Sequence, residues 1–220
     1  MIRCESLVYA YPDGTRALDG LDLSIERGER VAIVGRNGSG KSTLVRHWNG
    51  LLRPTAGRVL IDGVPTHGLR IAQLARLVGL TFQDPDRQLF ARTCRAEVAF
   101  GARQVGLRGS ELEGAVETAL EAVGLAHRAS ANPYDLGPSM RRLLALASVL
   151  AMRTPAVVLD EPTMGLDTSE IARVASVVAM LATERRTVVA ISHDARFVAG
   201  SFERVVRLDA GRVVEVSQRS

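Results

Sequence analysis

RVAIVGRNGSGKSTL, residues 30–44, decides what the rest of this chain must be. Four consecutive apolar residues, three of them β-branched, read as a strand buried on both faces. Residues 35–42 then follow the spacing G-x4-G-K-S, and a helical pattern takes over at 43–51. Glycines let the backbone curl until several N–H groups point inward at one anion. A helix beginning near Ser42 would add the positive end of its dipole. Lys41 would neutralise β- and γ-phosphate charge, and the Ser42 hydroxyl would reach a Mg2+ ion. The candidate nucleotide contacts are Gly35, Arg36, Asn37, Gly38, Ser39, Gly40, Lys41, Ser42 and Thr43.

Composition singles out one of these. Of 28 basic residues, Lys41 is the only lysine. A compact ammonium fits between phosphate oxygens where a broad guanidinium would not. The basic excess, 28 against 24 acids, is too small to argue for nucleic acid, and none is expected as a partner. At 220 residues, 46% of them hydrophobic, the chain can bury a sizeable core. No apolar run approaches the roughly 20 residues a membrane-spanning helix needs. MIRCESLVYAY at the N-terminus has no signal-peptide core, so no leader is expected. Cys4 and Cys94 match no metal or redox spacing, which favours a reducing cytosol.

Outward from residue 30, strands are expected at 78–82, 156–160, 188–191 and 204–208, and helices at 111–123, 140–152 and 169–182. Strands beyond residue 77 alternate with helices, the pattern of a parallel sheet wrapped on both faces. The first sixty residues carry short strands and turns such as PDG and IDG, expected to form an antiparallel layer. Residues 88–152 hold helices and no strong strand. We therefore expect one α/β domain, 1–220, with residues 1–87 and 153–220 as its core and 88–152 as an inserted helical subdomain.

AVVLDEPT, residues 156–163, is an apolar strand ending in two acids. Asp160, at the strand's C-terminal end, would face the phosphate loop and hold the Mg2+ shell. Glu161 would polarise an attacking water as general base.

Together these residues resemble the nucleotide-binding subunit of an ATP-binding-cassette (ABC) transporter, in family order over essentially the whole chain. The resemblance implies a P-loop NTPase fold: a RecA-like parallel sheet core, an N-terminal antiparallel β layer and an inserted helical signature subdomain. It implies ATP hydrolysis, with ATP and Mg2+ as cofactors. Gln83 matches the family's lid glutamine, which contacts Mg2+ and the attacking water. His193, in AISHD, matches the switch histidine at the γ-phosphate, and Tyr11, in YAYPDG, the aromatic that stacks on adenine. Gly165, Leu166 and Asp167 match the loop that crosses the dimer interface. FQDPDRQLF, residues 82–90, and VAFG, residues 98–101, look like the ATPases of energy-coupling-factor (ECF) transporters, which take up vitamins and transition-metal ions. The resemblance thus implies an integral membrane partner and a peripheral location on the cytoplasmic face of the membrane. Where that group usually shows acids before VAFG, this chain has Cys94, Arg95 and Ala96, keeping Glu97. A partner presenting arginines would meet Arg95 there.

One motif departs further. In this family each ATP lies between one subunit's cradle and the other's signature loop, normally LSGGQ. The aligned residues here are Leu136, Gly137, Pro138, Ser139 and Met140. Gly137 lacks the serine hydroxyl, Pro138 has no N–H to donate, and Met140 lacks the amide of glutamine. Ser139 is expected to cap a helix starting at Met140. With its own cradle, metal site and base intact, the chain is expected to pair with a paralogous ATPase in an asymmetric dimer, in preference to a second copy. Two other readings stand beside this one. A soluble cassette ATPase usually carries two cassettes or a long coiled coil, and neither is present. A non-hydrolytic regulatory subunit is favoured by LGPSM and opposed by Glu161 and His193.

Overall fold

The computed structural model describes residues 1–218. The chain runs β1 (Ile2–Ala10), β2 (Arg16–Ile25), β3 (Arg30–Val34), α1 (Lys41–Trp48), β4 (Ala56–Ile61), β5 (Val64–Pro65), α2 (Ile71–Leu74) and β6 (Val78–Thr81). It continues through α3 (Cys94–Val105), α4 (Gly109–Ala122), α5 (Pro138–Leu150), β7 (Ala156–Asp160), α6 (Thr168–Thr183), β8 (Thr187–Ile191), α7 (Ala195–Ser201), β9 (Arg204–Asp209) and β10 (Arg212–Gln218). The first sheet has the order β2-β1-β4-β5, with antiparallel pairings throughout. The second has the order β10-β9-β3-β8-β7-β6, parallel except for β10. The fold is that of a P-loop NTPase.

The central strands of the second sheet, β3, β7 and β8, are buried on both faces, and strand periodicity divides their side chains between two cores. Val31, Ile33, Ala156, Val158, Val189 and Ile191 pack toward α1 and the first sheet. Ala32, Val157, Leu159, Val188 and Ala190 pack toward the helices that include α3 to α6. This is why RVAIV and AVVLD are apolar without alternation. Asp160 shares its parity with Ala156 and Val158, so it belongs to the α1 side. The C-terminal ends of β3, β6, β7 and β8 therefore deliver Gly35, Gln83, Asp160 and His193 to one edge.

Three local expectations change. The helix after the glycine loop starts at Lys41, not Thr43, and ends at Trp48. The expected cap at Ser139 is not found: Gly137 is the N-cap, without a side-chain bond, and Pro138 opens α5 at its first position. Proline's fixed φ suits that position, and the N–H it lacks is one a helix leaves unpaired there. Strand β10 was not anticipated from sequence at all. Among the described residues no helix is long and apolar enough to cross a membrane.

Candidate active site

The loop between β3 and α1 needs its glycines. Gly35, Gly38 and Gly40 have φ of 148°, 80° and 99°. A Cβ on Gly35 would sit 2.1 Å from the Leu208 carbonyl oxygen, and one on Gly40 would sit 2.5 Å from that of Ala17. Both backbones are thus pressed against neighbouring strands where no side chain fits. Gly40 caps α1 without a side-chain bond, leaving first-turn N–H groups to face outward. Lys41 Nζ donates to the carbonyls of Gly35 at 2.7 Å and Arg36 at 2.9 Å. Burial lowers its pKa, while the nearby Glu161 and Asp160 carboxylates act the other way.

Two acids face this loop. Asp160 is buried, and its Oδ1 has no hydrogen-bond partner. Burial raises its pKa, against the Ser42 hydroxyl and the charges of Arg46 and Lys41. A buried, unpartnered carboxylate oxygen is costly unless a cation completes it. Glu161 has φ of 51°, a left-handed conformation that costs a non-glycine residue about 1–3 kcal/mol. Its backbone N–H donates to the Ile191 carbonyl at 2.9 Å, extending the parallel pairing between the C-terminal ends of β7 and β8. Its Oε1 lies 3.2 Å from His193 Nε2. Burial raises the Glu161 pKa and His193 opposes that rise most strongly.

These groups line one cavity of about 420 Å3, which also takes in Tyr11, Gln83 and Thr43. Asn37 to Ser42 form its floor. Gly35 and Arg36 do not line it; their carbonyls hold Lys41 instead. Tyr11 is fixed by a hydrogen bond between its hydroxyl and Thr43 Oγ1 at 2.8 Å and by edge packing on Tyr9. Sequence reasoning missed Thr15, Arg16 and Ala17, which complete the wall beside Tyr11. The turn YPDG was the available signal, because it folds the start of β2 back beside Tyr11. Leu136 to Met140 and Gly165 to Asp167 lie outside this cavity. Asp167 instead caps α6, accepting from Glu170 N–H at 2.9 Å while Glu170 Oε2 accepts from Asp167 N–H.

A glycine cradle with a buried lysine, a helix N-terminus, two acids and an aromatic wall define a P-loop nucleotide-binding cassette. The sequence pattern of the ABC transporter family matches residues 18–164, and the chain belongs to that family of ATPases. The ECF transporter ATP-binding protein EcfA of Methanothermobacter thermautotrophicus is 42% identical over 216 residues, 97% of this chain and 70% of that protein. The structure of cbiO1 from Clostridium perfringens, part of the ABC transporter complex cbiONQ, superposes with a TM-score of 0.86 at 36% identity, covering 99% of this chain and 88% of that one. The cassette MJ0796, in a dimeric post-hydrolysis state bound to ADP and Pi, gives a TM-score of 0.91 at 26% identity, covering 100% of this chain and 99% of that one. The chain spans only 38% and 40% of two longer relatives, both putative ABC transporter ATP-binding proteins of Methanosarcina species.

Proposed function

We propose that this chain binds Mg-ATP, hydrolyses it, and powers uptake of a vitamin or transition-metal ion as the peripheral ATPase of an ECF-type importer on the cytoplasmic face of the membrane. In this reading the loop from Asn37 to Ser42 cradles the phosphates and Tyr11 stacks on adenine. Ser42, Asp160 and Gln83 hold Mg2+, with phosphate and water completing its shell. Glu161 activates the attacking water, and His193 contacts the γ-phosphate. The unpartnered Oδ1 of Asp160 supports the metal assignment, since it offers a hard oxygen with nothing else to bind it. Asp160→Asn should stabilise the nucleotide-free protein at neutral pH and lose most of the thermal shift produced by Mg-ATP. The sign follows from the raised pKa. The buried carboxylate costs stability above its folded pKa, and that cost fades as pH falls toward the ordinary aspartate value of 3.8. Thermal melting with and without Mg-ATP checks both parts.

The importer reading rests on an exposed aromatic surface. Phe90 is 58% exposed and Phe100 44%, and their rings meet edge to face at 4.8 Å. Tyr134, 55% exposed, donates its hydroxyl to the Leu89 carbonyl at 2.9 Å. Glu97 is buried under this surface, accepting from the N–H groups of Phe90 and Ala91, so it shapes the patch and does not meet a partner. Arg95, expected to confront the partner's arginines, is paired with Glu113 at 2.6 Å and Glu117 at 3.4 Å. Its charge is met on the protein itself, and docking by aromatic contact is not opposed. Phe90→Ser together with Phe100→Ser should abolish co-purification with the integral membrane partner while ATP binding survives. Flotation with plain liposomes should leave the wild-type chain in the supernatant. Retained co-purification by the double variant would rule this surface out.

We further propose a paralogous ATPase as the second subunit. α5 opens with Gly137 and Pro138, so the serine hydroxyl and one N–H of the usual signature are both missing, while the chain keeps a full catalytic set of its own.

A further inference from the structure

The loops that carry Gln83 and Glu161 are tied together by one side chain from a third element. Arg142 lies in the second turn of α5. Its Nη1 donates to the carbonyl of Gln83 at 2.9 Å and its Nε to the carbonyl of Met164 at 2.8 Å. Met164 in turn donates its N–H to the Glu161 carbonyl at 3.3 Å. The guanidinium is therefore one hydrogen bond from the lid glutamine and two from the residue held at positive φ. Because the Gln83 carbonyl faces Arg142, its side chain is left for the cavity, which it lines.

Neighbouring bonds fix α5 against the same segment. Arg141 Nη1 lies 3.2 Å from Asp86 Oδ1. The Gln88 carboxamide accepts from Phe82 N–H at 3.2 Å and donates to the Ala145 carbonyl at 3.0 Å. Arg142 alone among these reaches both catalytic loops. A planar fork of fixed donors serves two carbonyls in different directions, which the point charge of lysine does less well.

We infer that Arg142 is a positioning residue for hydrolysis, setting the Gln83 and Glu161 loops relative to each other and to the start of α5. The inference rests on the catalytic roles proposed above. α5 begins at LGPSM, the stretch proposed to face the partner subunit, so any shift of that helix on dimer closure is passed to both loops through one guanidinium. A misplacement of about 1 Å at reacting groups can cost up to roughly 10²-fold in rate.

The test uses the assembled transporter, comparing Arg142→Ala, Arg142→Lys, Gln83→Ala and the double variant Gln83→Ala/Arg142→Ala. Arg142→Ala should lower kcat roughly 10- to 100-fold. ATP affinity, measured by equilibrium titration, should stay within about twofold, the signature of lost transition-state positioning. Arg142→Lys should recover part of the rate. The double variant should be faster than the product of the single effects allows, because both changes disable the same lid. Should Arg142→Ala melt early, Arg142→Gln keeps a donor and part of the side chain's bulk for the same comparison. Wild-type kcat in Arg142→Ala, or a double variant showing the full product, would overturn the inference. Wild-type turnover in Gln83→Ala would overturn the lid role and this inference with it, and that result is separately visible.

Discussion

Glu161→Gln is expected to reduce hydrolysis by roughly 10²- to 10⁴-fold while leaving ATP binding near wild type, the range for loss of a positioned base. The substitution keeps shape and hydrogen bonding but removes the charge that draws a proton from water. Binding should persist because the phosphate contacts proposed for Lys41 and Ser42, which line the same cavity, do not involve this carboxylate. The pH profile provides a second reading. Burial raises the Glu161 pKa from the ordinary 4.5, so its proton is kept to higher pH and the base is lost earlier on acidification. kcat of the wild type should therefore rise with pH along an acid limb that starts above the usual glutamate range and is missing from the variant. In a dimer with an intact-signature paralogue, this one change should remove most turnover of the whole complex, since this cradle would be the site that meets good donors. Rebuilding residues 136–140 as LSGGQ should then add no more than the second site's share. In a homodimer the same rebuilding should raise turnover tenfold or more, on the order of one recovered donor. Steady-state ATPase assays on the reconstituted complex distinguish the two.

What was legible in the sequence was what local chemistry determines. β3, the glycine loop and Lys41 are encoded within thirteen residues, where motif spacing and apolar run point the same way. β7 and its two terminal acids are equally compact. β10 was not legible, because RVVEVSQ sits on a sheet edge, largely exposed, and the core imposes no pattern on it. α3 was not among the expected helices, and its VAFG stretch was read only as a family motif. Gly101 in its middle weakens local helix propensity, and its reason lies elsewhere: a Cβ there would come within 2.9 Å of Met152 Cγ. The close packing of α3 against the Met152 side chain favours a small residue there, and no window around residue 101 shows it.

The pairings of two arginines were hidden for a related reason. Arg95 looked like a clash because its partners, Glu113 and Glu117, sit 18 and 22 residues away on α4. Arg142 was not singled out, because its acceptors are backbone carbonyls 59 and 22 residues distant, and a carbonyl carries no signal in sequence. Glu161 was identified as a carboxylate, but nothing in DEPT announces its left-handed backbone. The side chains of the candidate site were thus readable, while the backbone arrangement that aims them was not.

Lys41→Ala should weaken Mg-ATP binding by roughly 10- to 100-fold or more, since charge-assisted hydrogen bonds contribute about 1.5–3 kcal/mol and each 1.4 kcal/mol is tenfold. The ammonium is already buried beside the loop proposed to cradle phosphate. It is held by the Gly35 and Arg36 carbonyls, and binding asks it only to exchange or share those acceptors with phosphate oxygens. Alanine also leaves these two carbonyls without that donor, so a slightly lower melting temperature should accompany the lost affinity. Lys41→Arg separates charge from shape. The guanidinium keeps the positive charge but is broader than the ammonium, and residue 41 is 7% exposed at the start of α1, beside a loop whose glycines already touch neighbouring strands. Arginine should therefore restore little binding, in a chain where every other basic residue is arginine. Equilibrium titration with a fluorescent ATP analogue checks both variants. Affinity in Lys41→Ala equal to wild type would remove the cradle assignment, and full recovery by arginine would show that position 41 requires charge alone.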